Sequence, residues 1–130
     1  MKKVIFIILA LCIFSTGCVT ESKADKLTNR IMKNTEILEK LYQKHRRDKT
    51  LDAETEMKKV HLTKVLNTLN EDLSELEKLY KDEPADHINI MLMSIPYMEQ
   101  SVDERDLLLF EQGYSTYTNG YQNFIDLVNK

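Results

Sequence analysis

The sequence predicts an all-α protein, an antiparallel bundle of three or four helices that follows a short N-terminal targeting segment. Two observations support the helical fold. The 130 residues include only three Gly and two Pro, while Leu, Glu, Lys and Met, which are good helix formers, dominate. Apolar residues also recur in steps of three and four along most of the chain, which is the period of one helix face.

The N-terminal residues have the order of a secretory signal. Lys2 and Lys3 precede an apolar run at residues 4–14, and three small residues then lead into Cys18. The uncharged stretch 4–17 has fourteen residues, whereas a membrane-spanning helix needs about 20. We therefore expect this segment to be cleaved rather than kept as a membrane span.

The junction Ser15-Thr16-Gly17-Cys18 resembles the lipobox of bacterial lipoproteins, although Ser15 stands where Leu is usual. The resemblance implies that the Cys18 sulfur receives a diacylglyceryl group and that Cys18 becomes the mature N-terminus. Acyl chains such as palmitate would then hold the protein at the extracytoplasmic face of the cell membrane. In architecture alone, the expected mature chain is similar to small cell-wall-binding lipoproteins of Gram-positive bacteria.

Three regions follow from this interpretation: a signal peptide at 1–17, a lipidated tether at 18–24 and a helical bundle domain at 25–130. Cys12 would leave with the signal, so the mature chain has no cysteine pair for a disulfide. The 18 basic residues fall to 16 against 21 acidic ones, a net charge of −5. Location and charge together argue against nucleic-acid binding.

Charge is unevenly distributed along the domain. Residues 22–49 carry nine bases against four acids, and residues 50–86 carry ten acids against five bases. The sequence favours pairing of these segments within the molecule. The alternative is that the basic segment binds an anionic cell-wall polymer or lipid headgroups, through Lys40, Lys44, Arg46, Arg47 and Lys49.

The first helix is predicted at 25–47 and the second at 53–81, with Asp52 as the N-cap of the second. Asn34 lies in the apolar stripe of the first helix and is interpreted as a buried residue that sets helix register. A single long helix is also possible because residues 22–83 contain no Gly or Pro. The polar stretch from 45 to 59 favours a turn near 48–51. The two apolar stripes are Leu27, Ile31, Leu38, Leu41, and Leu62, Leu66, Leu69, Leu73, Leu76, Tyr80.

The third helix is predicted to have Pro84 in its first turn and to kink or end at Pro96. A buried strand at 88–95 is the weaker alternative. Residues 101–104 have the form of a capping box, which predicts the start of a fourth helix. The two stripes are Ile88, Met91, Leu92, Ile95, Met98, Val102, and Leu107, Phe110, Tyr114, Tyr117, Tyr121, Phe124, Val128.

Two features of the fourth helix allow a second interpretation. Asn119-Gly120 could instead mark a β-hairpin turn, and the tyrosine-rich stripe could be a face that binds glycan or peptide rather than core. Gly113 and Gly120, seven residues apart, would let a neighbouring helix approach closely. We favour the helix and a core role for the tyrosines.

No catalytic constellation is present in the sequence. It has no glycine-rich phosphate loop, no pair of zinc-binding histidines on one helix turn and no nucleophile elbow. We therefore expect neither enzyme activity nor a cofactor. A minor alternative is a Cu(I) site formed by Met91, Met93 and Met98 with His87 nearby, since thioethers bind soft metals. Packing of these methionines is the favoured interpretation.

The leading functional expectation is a non-enzymatic interaction module that binds another envelope protein, or a second copy of itself, through an amphipathic helix face. The reason is that the two helices with heptad-spaced apolar residues carry more apolar surface than one small helical hairpin can bury.

Overall fold

The computed structural model describes residues 22–48 and 56–129. In these ranges the chain forms four α-helices and no strand, which confirms the all-α prediction. The predicted signal peptide, Cys18 and the proposed N-cap Asp52 lie outside the described residues. The helices are α1 (Lys23–Asp48), α2 (Glu56–Glu77), α3 (Asp82–Glu104) and α4 (Leu107–Val128).

The first two helices pack as an antiparallel hairpin. Arg30 near the start of α1 donates from Nη2 to Asp72 Oδ1 near the end of α2, at 2.8 Å. Lys23 Nζ, earlier in α1, lies 3.5 Å from Glu75 Oε2, later in α2, as expected for helices that run in opposite directions. The two described helices therefore run in opposite directions, so they are not one continuous long helix. These ion pairs confirm internal pairing with acidic residues of the second helix for Lys23 and Arg30, near the start of the basic first helix.

Each helix packs against its neighbours in the chain, and α1 also packs against α4 to close the bundle. Among the described residues α1 and α3 make no direct helix contact, and neither do α2 and α4, so these pairs lie on the diagonals. Two side-chain contacts show the antiparallel closure: Thr35 of α1 meets Tyr117 of α4, and Tyr42, later in α1, stacks on Tyr114, earlier in α4. The arrangement is a four-helix bundle in which every adjacent pair is antiparallel.

The link between α3 and α4 differs from the prediction. Ser101 does not cap a fourth helix; it is buried inside α3, which continues to Glu104. Arg105 takes a left-handed conformation (φ 56°), and the Asp106 N–H donates to Ser101 O at 2.9 Å, which closes α3 as a Schellman motif. The Asp106 side chain then accepts from the Leu109 N–H and caps α4.

The third and fourth helices are not interrupted at the positions for which the sequence allowed an alternative to helix. Pro84 lies in the first turn of α3, as predicted, and α3 does not end at Pro96 but continues past it. Residues 88–95 are helical rather than a strand, and Asn119-Gly120 lies inside α4 rather than in a hairpin turn. The second helix ends at Glu77, four residues earlier than predicted.

The core is built from the predicted stripes, with one polar correction. Asn34 is not buried; its amide donates to the Arg30 carbonyl of its own helix at 3.0 Å, at an exposed position. Thr35, one residue later, is the buried polar residue of this turn. The side chains that are almost fully buried in the centre include Ile31, Leu38, Leu62, Leu66, Leu69, Leu73, Leu76, Ile88, Met91, Ile95, Met98, Phe110, Tyr117 and Phe124.

Candidate functional site

Two glycines bring α3 and α4 into close contact. A Cβ atom placed on Gly113 would lie 2.9 Å from Met98 Cγ, and one placed on Gly120 would lie 3.1 Å from the His87 carbonyl oxygen. A methyl group at Gly120 would press on the backbone of α3, whereas one at Gly113 would first displace the flexible Met98 side chain. The prediction that these glycines permit close helix approach is therefore confirmed. Ile90 also lies against Gly120, at the edge of this contact.

The outer side of α3 carries an exposed apolar stripe formed by Ile90, Met93 and Tyr97. Their exposed fractions are 36%, 68% and 56%. The spacing of three and four residues puts them on one face of the helix, out of phase with the buried residues Met91, Ile95 and Met98 of the same helix. Both faces of α3 are thus apolar, but only one of them is packed against the bundle.

Charge is absent from the middle of the α3–α4 pair. Residues 88–98 of α3 and residues 112–125 of α4 contain no Asp, Glu, Lys or Arg. The exposed positions of α4 in this stretch are amide and hydroxyl side chains, while α3 contributes the apolar stripe. Protein interfaces are depleted of charge at their centre and enriched in Tyr and Met. This surface has that composition.

Acidic residues occupy both ends of α3. The helix carries six acids and no Lys or Arg. Three acids precede the apolar stripe and three follow it, namely Asp82, Glu83, Asp86, and Glu99, Asp103, Glu104. On the helix face of the stripe, the exposed Glu83 and Asp86 precede it and the exposed Glu104 follows it, so a partner that covers the stripe meets negative charge at both ends.

The predicted anionic-binding residues lie in the last turns of α1. Lys40, Lys44, Arg46 and Arg47 are all exposed, whereas Lys49 lies beyond the described part of α1. Arg46 and Arg47 are in the final turn, where positive charge also stabilises the carboxyl end of the helix. The four residues do not all share one face, because Arg46 is turned by about 100° from Arg47.

The methionines proposed for copper are not brought together. Met91 and Met98 are fully buried in the core, while Met93 is two thirds exposed on the other side of α3. His87 Nε2 lies 3.6 Å from Glu83 on its own helix. Within residues 22–48 and 56–129 no group of three or more His, Cys, Asp or Glu side chains is placed to hold a metal ion. This arrangement gives the copper hypothesis no support.

The tyrosine stripe of α4 belongs to the core and to the α1–α4 contact, as favoured from the sequence. Tyr117 is fully buried, and the rings of Tyr42 and Tyr114 stack with centroids 4.1 Å apart. Burial raises the pKa of Tyr117, opposed in part by its hydrogen bond to Thr35. Burial also raises the pKa of Tyr114 and Tyr121 to about 12, with a further contribution from Glu39.

The sequence reasoning missed Ile90 and Tyr97, and it assigned Met93 to filling a gap in the core. A signal was available, because three large apolar residues at i, i+3 and i+7 lie out of phase with the core stripe of the same helix. Which of the two apolar stripes faces the bundle depends on the positions of α2 and α4, and those positions are known only from the tertiary structure.

Comparison with known protein families, with curated proteins and with solved structures produced no significant match for this chain. None of the helices in the described ranges is long and apolar enough to cross a membrane.

Proposed function

We propose that the protein is a bacterial lipoprotein, held by an acylated Cys18 at the extracytoplasmic face of the cell membrane, that binds another envelope protein without catalysing a reaction. The observation that carries this proposal is the exposed apolar stripe Ile90, Met93 and Tyr97. Burying large apolar side chains is the main favourable term in protein association. Aromatic and Met side chains at the centre of an interface contribute most of it.

The charges of α3 indicate the chemistry of the partner. A segment that covers the stripe gains most if its apolar centre is flanked on both sides by Lys or Arg, which would face the acids at the two ends of α3. A second copy of the protein fits less well. In either relative direction, pairing of α3 with itself places acidic ends beside acidic ends. We therefore favour a different envelope protein with a basic-flanked apolar segment.

The proposed anchor places this surface near the membrane. Cys18 is four residues before Ser22, where the described bundle begins. Four residues of extended chain span about 14 Å at most. The bundle would therefore act close to the bilayer, on partners that reside in or beside it.

Site-specific crosslinking tests the docking surface. A photoreactive amino acid would replace Met93 in the lipidated protein in its own membranes, and Glu71, exposed on α2, would be replaced in the matched control. We expect one envelope protein to be captured from position 93 and not from position 71. Capture should fall when Tyr97→Ser is added or when Glu104→Lys reverses one flanking charge, since Glu104 is exposed on the same helix face seven residues after Tyr97.

Different results of the same experiment would overturn parts of the proposal. Identical products from both positions would indicate random collisions and would remove the docking surface. A crosslinked dimer of the protein itself would show that the surface mediates self-association and does not bind a different envelope protein. The anchor has a separate test: Cys18→Ser should abolish incorporation of labelled palmitate and release the mature protein from membranes.

A second candidate function is binding of an anionic wall polymer through Lys40, Lys44, Arg46 and Arg47. The exposure of all four side chains favours it. Such binding should weaken steeply as salt rises, because exposed charges are screened. Retention of purified protein by isolated cell walls, measured across a salt series, would test it, and salt-insensitive retention or none would exclude it.

A further inference from the structure

A basic stripe runs along most of α1, well beyond the segment identified from the sequence. Its residues are separated by seven, seven, four and three positions, which places them on one helix face, and all are exposed. The stripe extends about 32 Å along the helix axis. We define the basic stripe as Lys26, Lys33, Lys40, Lys44 and Arg47.

The acidic residues of α1 lie at the α4 edge of the stripe or beyond it, and Glu36 is adjacent to Lys33 and Lys40 on the helix surface. Glu36 and Glu39 face α4, because their charges contribute to the raised pKa of Tyr121 and Tyr114 there. Asp25 likewise acts on Tyr80. The side of α1 toward α4 therefore carries both signs of charge, Glu36 and Glu39 together with Arg46, whereas the basic stripe itself contains only bases.

Two further bases continue the same side of α1 but already have acidic partners. Lys23 and Arg30 pair with Glu75 and Asp72 of α2. These pairs join the start of the stripe to the bundle and neutralise charge there. The net positive surface is therefore concentrated at Lys33, Lys40, Lys44 and Arg47.

We propose that α1 lies along the anionic surface of the membrane, with the basic stripe against the lipid headgroups. This inference rests on the proposed lipid anchor. Acylated Cys18 would hold the start of α1 within about 18 Å of the bilayer, so a helix lying flat from that point keeps the whole stripe within reach. Each Lys or Arg beside anionic headgroups strengthens binding about fivefold.

The bundle geometry connects this orientation with the docking surface. In the described ranges α1 and α3 lie on a diagonal without direct contact, so their outer faces are on opposite sides of the bundle. When the basic stripe faces the bilayer, Ile90, Met93 and Tyr97 face away from it. The membrane contact would thus present the apolar stripe outward to a partner.

A bilayer fits the stripe better than a soluble polymer does. The stripe is straight, lies on a single helix and begins beside the proposed anchor, which matches a flat charged surface at a fixed distance. The anchor also removes most of the entropic cost of bringing the two surfaces together. Binding of free polyanion is therefore a competing outcome of the test.

Vesicle binding tests the inference with protein that carries no lipid. The four described helices lie between Lys23 and Val128, so residues 18–130 with Cys18→Ser contain all of them and leave out the apolar N-terminal run. Co-sedimentation would use phosphatidylcholine vesicles with and without about 30% phosphatidylglycerol. Lys40→Gln/Lys44→Gln is the test variant. Lys78→Gln/Lys81→Gln, which removes two exposed lysines of the α2–α3 turn, is the matched control.

We expect binding only to the anionic vesicles, weakened more than about tenfold by the stripe variant and less than about twofold by the turn variant. Equal weakening of binding by both variants would show that only the net charge of the protein matters, and this would overturn the proposal. Binding that ignores phosphatidylglycerol would do the same, as would tighter binding to soluble polyphosphate than to vesicles. The Cys18→Ser protein used here is not acylated. A loss of vesicle binding would therefore count against the basic stripe alone, and it would be independent of the tests of the anchor and of crosslinking at position 93.

Discussion

The hydroxyl groups of Thr35 and Tyr117 lie 2.7 Å apart in the interior of the bundle and form a hydrogen bond between α1 and α4. Both side chains are buried. The residues are 82 positions apart in the chain, so this bond exists only when the fourth helix has returned to the first. It satisfies a tyrosine hydroxyl that would otherwise be buried without a partner, and it sets the register of the two helices.

Thr35→Val should destabilise the protein by about 1–3 kcal/mol, because it leaves the buried Tyr117 hydroxyl without its partner. Tyr117→Phe should cost less, since the Thr35 hydroxyl can turn to a backbone carbonyl of its own helix. Urea unfolding of both single variants and the double variant would measure this. We expect the double variant to lose less than the sum of the singles; strict additivity would contradict a direct coupling.

Gly120→Ala should destabilise the bundle by about 1 kcal/mol. The new methyl group meets the His87 carbonyl oxygen at 3.1 Å, and this overpacking outweighs the roughly 1 kcal/mol that Ala gains over Gly in a helix. Gly113→Ala should be milder, because its closest neighbour is the flexible Met98 side chain. Ser115→Ala, exposed on α4, is the control and should be nearly neutral. Increased stability of Gly120→Ala in urea unfolding would disprove the close approach.

Arg105 should tolerate glycine but not a β-branched residue. Its left-handed conformation (φ 56°) costs a non-glycine residue about 1–2 kcal/mol. Arg105→Gly should therefore be neutral or stabilising by up to about 1 kcal/mol, while Arg105→Val should lower stability by about 1 kcal/mol or more. Thermal unfolding of the two variants gives the comparison, and equal melting temperatures would contradict the left-handed turn.

Met93 should be oxidised before Met91 and Met98. Its side chain is 68% exposed, whereas the other two are fully buried, and oxidation of methionine by peroxide follows access to the sulfur. Peptide mass spectrometry after brief peroxide treatment would rank the three sites. Met93→Ser should also change stability by less than about 0.5 kcal/mol, while Met91→Ser should cost about 2 kcal/mol or more. Equal oxidation rates would show that the assignment of the two faces of α3 is wrong.

Stability should fall as the pH rises from about 10 to 12. Burial raises the pKa of Tyr114 and Tyr121 to about 12 in the folded protein, against about 10 in the unfolded chain. The protonated tyrosines therefore favour the folded state below pH 10, and this contribution is lost through the folded pKa. Urea unfolding at several pH values would measure the slope. Tyr121→Phe should make the slope shallower, and an unchanged slope in that variant would assign the effect to other groups.

The helix positions and most core residues could be predicted from the sequence, because an amphipathic helix of this length repeats its apolar residues at a period that no other structure shares. The cap between α3 and α4 could not. Residues 101–104 match a capping box by type, but the deciding factor is burial of Ser101 between helices, which a local motif does not record. The prediction that Asn34 is buried was wrong for the same reason, because the buried polar residue of this turn is its neighbour Thr35.

The sequence by itself determined the helical class and the approximate helix boundaries, while the signal peptide and tether expected at residues 1–24 stay predictions. These features depend on local composition and period. Only the tertiary structure decided that the α3 stripe of Ile90, Met93 and Tyr97 is left uncovered and that the basic stripe of α1 stays exposed on the opposite side of the bundle. Each depends on which helices lie beside α1 and α3, and that is settled by packing among residues far apart in the chain.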